Sequence, residues 1–432
     1  MISDQHQVLM EVLAFNKGTD YGRRYDFAGI KNAEQFRAAL PVTNYDDYAP
    51  LIALMGQLAE RNIYTADTII CYMLSFGADG SVRFIPCTQK YMDLFTIGGG
   101  IEELGKILVP GPIFMLNASF PKVRRFNDGL YLNSLSGMLL ATYMKEIFGD
   151  KKKKERRNPF SGPMELVMPE GLYDYRYANI LFALANNDVR MIVSPYQGML
   201  MDSFNYIKEN WETLTDDIER GTIGKYIDTL PEKIRKKLAV SMNPNPGRAA
   251  ELRAIFKEGF DRPLVHRIWP HLAFIVAEMY DVNATAESRA NEASSVKQYI
   301  GNVPIHNGPY FAPEALIGSS VPGGTNEYAM LPYAGFFEFA PVRGGAADKE
   351  HTVLMNELEI GCEYGIVVTN CLGFYRYDLG DIIKVLRIND TIPVISIVHR
   401  SSIATHFTSE AALERVMETV MRELKPNERA HI

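Results

Sequence analysis

The sequence predicts an α/β protein with a layered α/β large domain and a small β-rich subdomain. Strand-like apolar runs alternate with helical patterns over residues 62–194, which is typical of layered α/β folds. A long helical pattern follows over 197–219, and short apolar runs separated by turns dominate 329–398. This change of pattern indicates that the β-rich subdomain follows the layered part.

The first alternating elements lie near the N-terminus. An amphipathic pattern predicts a helix over 5–16, and a second short helix ends with 36–40 before a proline. An apolar strand is predicted at 69–74. A glycine-containing loop at 75–82 then leads into a returning strand at 83–86. We therefore expect two neighbouring strands joined by a glycine-bearing loop.

The middle of the chain has mainly helical patterns. We predict a helix over 174–187, a strand over 189–194, and a helical region over 231–261 that is broken by Asn-Pro-Asn-Pro-Gly at 243–247. In the helix 197–219, apolar residues recur three to four positions apart, at Met201, Phe204, Ile207, Trp211 and Leu214. Such a stripe is typical of a packing helix, not of a site of chemistry.

The composition argues against several classes of function. The formal net charge of −7 disfavours a nucleic-acid partner, because counterion release favours basic surfaces. The basic run at 151–157 is interpreted as a solvated loop. The most apolar region, 180–201, contains Asn, Asp, Arg and Pro residues, so no membrane span is predicted. The N-terminus has no signal-peptide pattern, and we expect a cytoplasmic protein.

The chain has four cysteines, Cys71, Cys87, Cys362 and Cys371. None has CxxC spacing, so the sequence predicts neither a zinc site nor a disulfide framework. Reduced thiols are expected, as in most cytoplasmic proteins.

The segment 364–385 has the most informative functional pattern. An apolar strand at 366–368 runs into a glycine-bearing turn, and a second apolar strand is predicted to begin at Ile382. Asp381 is expected on this turn, where a carboxylate could accept hydrogen bonds from a pair of ligand hydroxyls. The structural alternative is an aspartate that caps backbone amides.

The same segment contains Arg376 and Asp378. We interpret these two residues as a structural ion pair and not as ligand-binding groups.

Several segments, in their order along nearly the whole chain, resemble the auxin-responsive acyl-acid amido synthetase family of adenylate-forming ligases. They are Phe-Arg-Ala-Ala-Leu-Pro-Val-Thr-Asn-Tyr-Asp-Asp-Tyr at 36–48, the Trp- and Asp-containing helix at 206–223, Arg-Ile-Trp-Pro at 267–270, Tyr-Ala-Gly-Phe-Phe-Glu-Phe-Ala-Pro at 333–341 and Gly-Phe-Tyr-Arg-Tyr-Asp-Leu-Gly-Asp at 373–381. The resemblance implies the large-domain fold of these ligases.

The resemblance also implies that ATP, with magnesium, activates a small carboxylic acid as an acyl-adenylate, which is then coupled to an amino acid amine. The nucleotide-binding residues that it implies are Asp381, Gly318, Ser319, Ser320, Tyr333, Phe337 and Arg400. The phosphate loop that it implies contains Ser75, Gly77, Gly80 and Arg83. Arg83 and Arg400 are the cationic candidates, and no catalytic residue is assigned.

Arg83 replaces the lysine of the family pattern, and five further positions depart from it. Phe76, Ala78 and Asp79 stand where the phosphate loop has hydroxyl residues, and Ile317 replaces an aromatic residue beside adenine. Val321 replaces the glutamate that would hold magnesium. Because valine has no oxygen donor, magnesium binding at this motif is doubtful and no metal ligand is predicted.

The resemblance implies three regions: 1–328 with the acyl-acid pocket, 329–400 with the ribose turn, and 401–432 as the remnant of a C-terminal lid domain. A protein partner could then supply the lid in trans. Two functions stay open on the sequence: an ATP-dependent amide-forming ligase, and a catalytically inactive pseudo-ligase that binds a small molecule or acts as a scaffold.

Overall fold

The computed structural model describes residues 2–76, 82–97, 111–116, 123–124, 129–133, 135, 138, 158–167, 174–194, 197–224, 227–277, 296–321 and 326–400. The chain forms two compact units. The first comprises Met1–Glu102, Val123–Leu135 and Pro309–Ile432, and the second comprises Glu103–Lys122 and Ser136–Gly308. The predicted division at 328 and 400 stays a prediction, and the proposed lid remnant at 401–432 lies outside the described residues. None of the helices in the described ranges is long and apolar enough to cross a membrane.

Helices occur where the sequence predicts them, and five further helices among the described residues were not predicted. The helices are α1 (Ile2–Asn16), α2 (Asp20–Arg24), α3 (Ala33–Ala39), α4 (Tyr45–Gln57), α5 (Gln89–Ile97), α6 (Met164–Val167), α7 (Arg176–Ala185), α8 (Gln197–Arg220), α9 (Glu232–Ser241), α10 (Pro246–Lys257) and α11 (Val265–Ile268). Those that were not predicted are α2, α4, α5, α6 and α11. The predicted break at 243–247 separates α9 from α10, where Asn245 caps α10 and Pro246 occupies its first turn.

The strands belong to three sheets. They are β1 (Ile69–Phe76), β2 (Val82–Thr88), β3 (Ile113–Met115), β4 (Val123–Arg124), β5 (Tyr131–Asn133), β6 (Met191–Ser194), β7 (Phe274–Ala277), β8 (Ile305–His306), β9 (Tyr310–Ala312), β10 (Ala315–Ser320), β11 (Tyr328–Met330), β12 (Phe336–Arg343), β13 (Ala346–Ala347), β14 (Val353–Leu354), β15 (Glu363–Thr369), β16 (Tyr377–Asn389) and β17 (Ile392–Arg400). The α/β class predicted from the sequence is confirmed.

The second unit is built around a parallel sheet in the order β3-β6-β7-β8. Side chains from successive strand positions enter different core clusters. Met191 and Phe274 pack in one cluster, and Ile192 and Ile275 pack in a larger cluster with the apolar stripe of α8. Both faces of this sheet are therefore covered, as parallel sheets require.

The first unit contains two sheets. One has the order β2-β1-β5-β4, and the other is a nine-stranded sheet with the order β13-β12-β15-β16-β17-β11-β10-β9, with β14 paired to β12. Of the motif residues that the sequence singled out, the hairpins β1–β2, β9–β10 and β15–β16 contain Ser75, Arg83, Gly318, Ser319, Ser320 and Asp381.

An aromatic core fixes the turn between β15 and β16. The Tyr375 hydroxyl donates a hydrogen bond to the Tyr64 carbonyl at 2.7 Å, and the Tyr375 backbone N–H donates to the Tyr48 hydroxyl at 2.8 Å. The rings of Tyr48 and Phe374 meet edge to face at 4.9 Å. Burial and hydrogen bonding thus hold this turn rigidly against the N-terminal helices.

Candidate functional site

Asp381 lies on a bulge inside β16. Gly365 pairs with Ile382 and Val367 pairs with Asp378, so the single residue between the two β15 positions faces Leu379, Gly380 and Asp381 of β16. Gly380 has φ +76°, and its N–H donates to Asp378 Oδ1 at 2.9 Å. This geometry is a β-bulge at which glycine supplies the left-handed conformation.

The prediction that Asp381 lies on a turn before a strand beginning at Ile382 is therefore wrong. β16 already begins at Tyr377, because Thr43 from a distant loop supports the strand start. The Thr43 N–H donates to the Arg376 carbonyl at 2.8 Å, and the Asp378 N–H donates to the Thr43 carbonyl at 2.8 Å. These long-range bonds extend the strand through the motif.

The carboxylate of Asp381 is completely buried and is hydrogen-bonded. Asp381 is 0% exposed, and its Oδ2 accepts a hydrogen bond from the Tyr310 hydroxyl at 2.7 Å. Tyr310 is the register partner of Gly318 across β9–β10. The sequence analysis did not identify Tyr310, although its position eight residues before Gly318 in an apolar run is a usable hairpin signal.

A second buried carboxylate lies beside the first. Glu314 stands in the two-residue turn of the β9–β10 hairpin, where Ala312 pairs with Ala315. Its Oε1 accepts a hydrogen bond from the Ser75 hydroxyl at 3.1 Å. Burial raises the pKa of Glu314, and the nearby charge of Asp381 raises this pKa further. The sequence analysis missed Glu314 because nothing local distinguishes it from a surface turn residue.

Arg83 provides a cation for this cluster. It is the register partner of Ser75 across β1–β2, and its guanidinium lies 5.2 Å from the ring centroid of Tyr45. The positive charge of Arg83 opposes the upward shift in the pKa of Glu314. Within the described ranges, the buried Arg83 Nε has no hydrogen-bond partner. Arg83 thus stands close to both the phosphate-loop hairpin and the buried carboxylates.

The Gly318–Ser320 segment forms the end of β10. Ser319 pairs with Ala329, and Ser320 pairs with Tyr328. A Cβ atom at Gly318 would stand 3.0 Å from the Ala329 carbonyl oxygen. A side chain at this position would therefore force a small shift of β11. Ser319 and Ser320 are half-buried.

The other predicted nucleotide-binding and phosphate-loop residues do not all lie near Asp381. The Arg400 backbone lies directly opposite Asp381 in β17. Tyr333 is exposed, whereas Phe337 is 0% exposed, and the Phe337 N–H donates to Gln5 Oε1 at 2.8 Å. Gly77 and Gly80 lie outside the described residues. The structure thus brings Ser75, Arg83 and Asp381 together, and their nucleotide-binding role stays a prediction.

The magnesium motif offers no side-chain oxygen at Val321, and the expectation that magnesium is not held there stays a prediction. Val321 offers only its aliphatic side chain, and its backbone N–H donates to the Glu327 carbonyl at 2.9 Å. The carboxylates of Glu314 and Asp381 accept hydrogen bonds from hydroxyl groups. Throughout the described ranges, we find no group of three His, Cys, Asp or Glu side chains that could hold a metal.

Arg376 and Asp378 have different ionic partners, so the predicted ion pair between them is wrong. Arg376 forms a two-pronged contact with the buried Glu338, with Nε–Oε2 at 3.1 Å and Nη2–Oε1 at 3.0 Å. Asp378 pairs instead with Lys349. Arg376 therefore has a structural role, as predicted, but with another partner.

Comparison with known proteins gives a consistent result. The model of the GH3 family N-terminal domain matches residues 2–305, and the model of the GH3 family central domain matches residues 328–400. Indole-3-acetic acid-amido synthetase GH3.8 of Oryza sativa subsp. indica is 26% identical over 98% of this chain and 71% of its own length. Jasmonoyl-L-amino acid synthetase GH3.5 of Oryza sativa subsp. japonica is 24% identical over 97% of this chain and 74% of its own length.

A solved structure shows the same fold. The GH3.15 acyl acid amido synthetase superposes with a TM-score of 0.77 at 19% identity, covering 93% of this chain and 68% of that chain. A second structure of this synthetase, in complex with 2,4-DB, matches with the same TM-score of 0.77 over 92% of this chain and 68% of its own length. At this level of identity, the likeness supports the fold alone.

Proposed function

The chain belongs to the GH3 family, and we propose that it uses ATP to activate a small carboxylic acid as an acyl-adenylate and then couples the acyl group to an amino acid. The observation that carries this proposal is the meeting of Ser75, Arg83 and Asp381 in one unit. These residues come from separate motif positions, and the side chains of Ser75 and Asp381 are both buried in polar contacts.

In this proposal Asp381 binds the ribose hydroxyls of ATP. The two oxygens of a carboxylate accept hydrogen bonds, which is what the hydroxyl pair of a ribose offers. Because Asp381 is 0% exposed, nucleotide binding requires a local rearrangement that uncovers the carboxylate. The half-buried Ser319 and Ser320 would contact the nucleotide from β10.

The β1–β2 hairpin would bind the phosphates. Ser75 supplies a hydroxyl at the end of β1, and Arg83 supplies a guanidinium at the start of β2. The acid carboxylate would attack the α-phosphorus and expel pyrophosphate. Arg83 would orient the phosphates and oppose the negative charge that develops on their oxygens. We route no step through magnesium, because Val321 supplies no oxygen ligand at the position of the family glutamate.

A specific observation favours a second candidate, a pseudo-ligase that binds a small molecule without turnover. The family glutamate is replaced by Val321, and both buried carboxylates already have hydroxyl donors. If the hydroxyl groups stay bonded to Glu314 and Asp381 when ATP is present, the chain would keep the fold and a binding pocket but would not form an acyl-adenylate.

Pyrophosphate release separates the two candidates. The chain would be incubated with ATP, magnesium and an acid panel that includes indole-3-acetic acid, jasmonic acid and 2,4-DB, which the names of similar proteins suggest. Acid-dependent release that Asp381→Ala removes supports the ligase. The matched control is Asp390→Asn, an exposed turn residue with φ +55° that asparagine tolerates. Absence of release together with absence of a thermal shift by ATP contradicts the ligase proposal.

Three finer features belong to the same proposal. The acid would bind within residues 1–328, and the protein would act in the cytoplasm, which matches its four free cysteines. The hypothesis that a partner chain supplies a lid in trans is tested by adding candidate partners to the pyrophosphate assay, because such a partner should raise the rate of release.

A further inference from the structure

Two cysteines stand directly opposite each other in the β1–β2 hairpin. Cys71 and Cys87 are register partners in this antiparallel pair, and both side chains are buried. Opposite residues of an antiparallel pair project from the same face with Cβ atoms about 4.5–5.5 Å apart. A disulfide requires Cβ atoms about 3.5–4.5 Å apart, so a small approach of the two strands suffices.

Cys71 affects the ionisation of Cys87. The pKa of Cys87 is raised well above its usual value, mainly by a hydrogen bond with Cys71 and then by burial. In addition, the Cys87 sulfur lies 3.8 Å from the Thr88 carbonyl oxygen. Because the two residues are register partners, their side chains project from the same face of the hairpin.

The hairpin also offers a route of access. β2 is the edge strand of its sheet and is paired only with β1 along the described strand order. An edge strand can open locally without disturbing the rest of a sheet. Reagents can therefore reach buried thiols in β2 at a lower free-energy cost than thiols in a central strand.

We propose that Cys71 and Cys87 form a reversible cross-strand disulfide when the chain meets a low-molecular-weight disulfide. The thiolate of one cysteine attacks the small disulfide, forming a mixed disulfide and releasing one small thiolate. The second cysteine, as a thiolate, then attacks the protein sulfur of the mixed disulfide and releases the second small thiolate. Two protein thiols are oxidised, and one small disulfide is reduced to two thiols. The link ties together the strands on both sides of residues 77–81.

Cys371 is the competing partner. Burial raises its pKa to about 12, and its charge acts on Cys87. However, Cys371 lies in the turn after β15 and is not paired in register with either strand of the hairpin. The pair Cys71–Cys87 is therefore favoured, because both residues are already held opposite each other.

Non-reducing peptide mapping tests the proposal on the full chain. The reduced protein is treated with oxidised glutathione, its remaining thiols are alkylated, and it is digested with trypsin. Cleavage after Arg61, Arg83 and Lys90 places Cys71 in peptide 62–83 and Cys87 in peptide 84–90. Cys362 and Cys371 share peptide 350–376.

The expected product is peptide 62–83 linked to peptide 84–90, released by dithiothreitol. It should be absent from Cys71→Ser and Cys87→Ser and present in the control Cys362→Ser. Below the thiol pKa, the rate of its formation should rise about tenfold for each unit by which the pH is increased, because the thiolate is the reactive form. Three results overturn the proposal: linkage of 84–90 to 350–376 as the main product, linkage only in urea, or no linkage when the exposed Cys362 is fully modified.

Discussion

Glu314→Gln is a direct test of the buried carboxylate beside the phosphate-loop hairpin. Glu314 is 4% exposed, and it accepts a hydrogen bond from Ser75 at 3.1 Å. Burial raises its pKa in the folded chain, and the charge of Arg83 only partly opposes this effect. A glutamine amide oxygen can accept the same hydrogen bond and reproduces the shape of the neutral acid at every pH.

The sign of the effect follows from the raised pKa. A carboxyl whose pKa is higher in the folded state contributes stability fully below its unfolded pKa of about 4.3, and this contribution is lost as the pH rises through the folded pKa. Glutamine does not ionise, so the Glu314→Gln variant loses no stability at this position as the pH rises. The free energy of unfolding of the variant should therefore rise relative to that of the wild type by about 1.4 kcal/mol for each pH unit between the unfolded and folded pKa values. Above the folded pKa, this difference should be constant.

Thermal unfolding from pH 4 to pH 8.5 measures this difference. For a unit of this size, 1.4 kcal/mol corresponds to roughly 3–6 °C in the unfolding midpoint. The exposed Glu350 supplies the control Glu350→Gln, which should follow the wild type at every pH. A midpoint difference that does not change with pH, or a Glu314→Gln variant that is less stable than the wild type at pH 8, would refute the argument.

Three further substitutions have expected outcomes. Glu338→Leu should lower the free energy of unfolding by about 3–5 kcal/mol in urea titrations, because it leaves the guanidinium of Arg376 buried without a counter-charge; an effect below 1 kcal/mol would contradict this. Gly318→Ala should cost about 1–3 kcal/mol in the same titration, because the added Cβ stands 3.0 Å from a carbonyl oxygen of β11. Tyr310→Phe should cost about 1–3 kcal/mol, because it removes the 2.7 Å hydrogen bond to the buried Asp381; unchanged stability would show that another donor replaces it.

Local patterns predicted much of the fold. The apolar stripe of α8 recurs at helical spacing, and the break between α9 and α10 follows from two prolines and a glycine within five residues. In both cases the deciding information lies within about four turns of helix. The type of these elements could therefore be predicted from local sequence without any tertiary contact.

The candidate site was only partly predictable, because its defining contacts join distant residues. Ser75 and Glu314 are 239 residues apart, and Arg376 and Glu338 are 38 apart. The motif resemblance identified Ser75 but gave no reason to choose Glu314. Likewise, the start of β16 depends on bonds to Thr43, so the bulge at Asp381 could not be derived from its neighbours in sequence.

Direct detection of the acyl-adenylate is the measurement closest to the central claim. The chain is mixed in excess over ATP labelled at the α-phosphate, with an acid that supports pyrophosphate release, and the quenched products are separated by chromatography. We predict a labelled acyl-adenylate that forms without an amino acid, disappears when one is added, and is absent from Asp381→Ala but present in Asp390→Asn. Pyrophosphate release without any labelled acyl-adenylate, or equal adenylate from Asp381→Ala, would contradict the account.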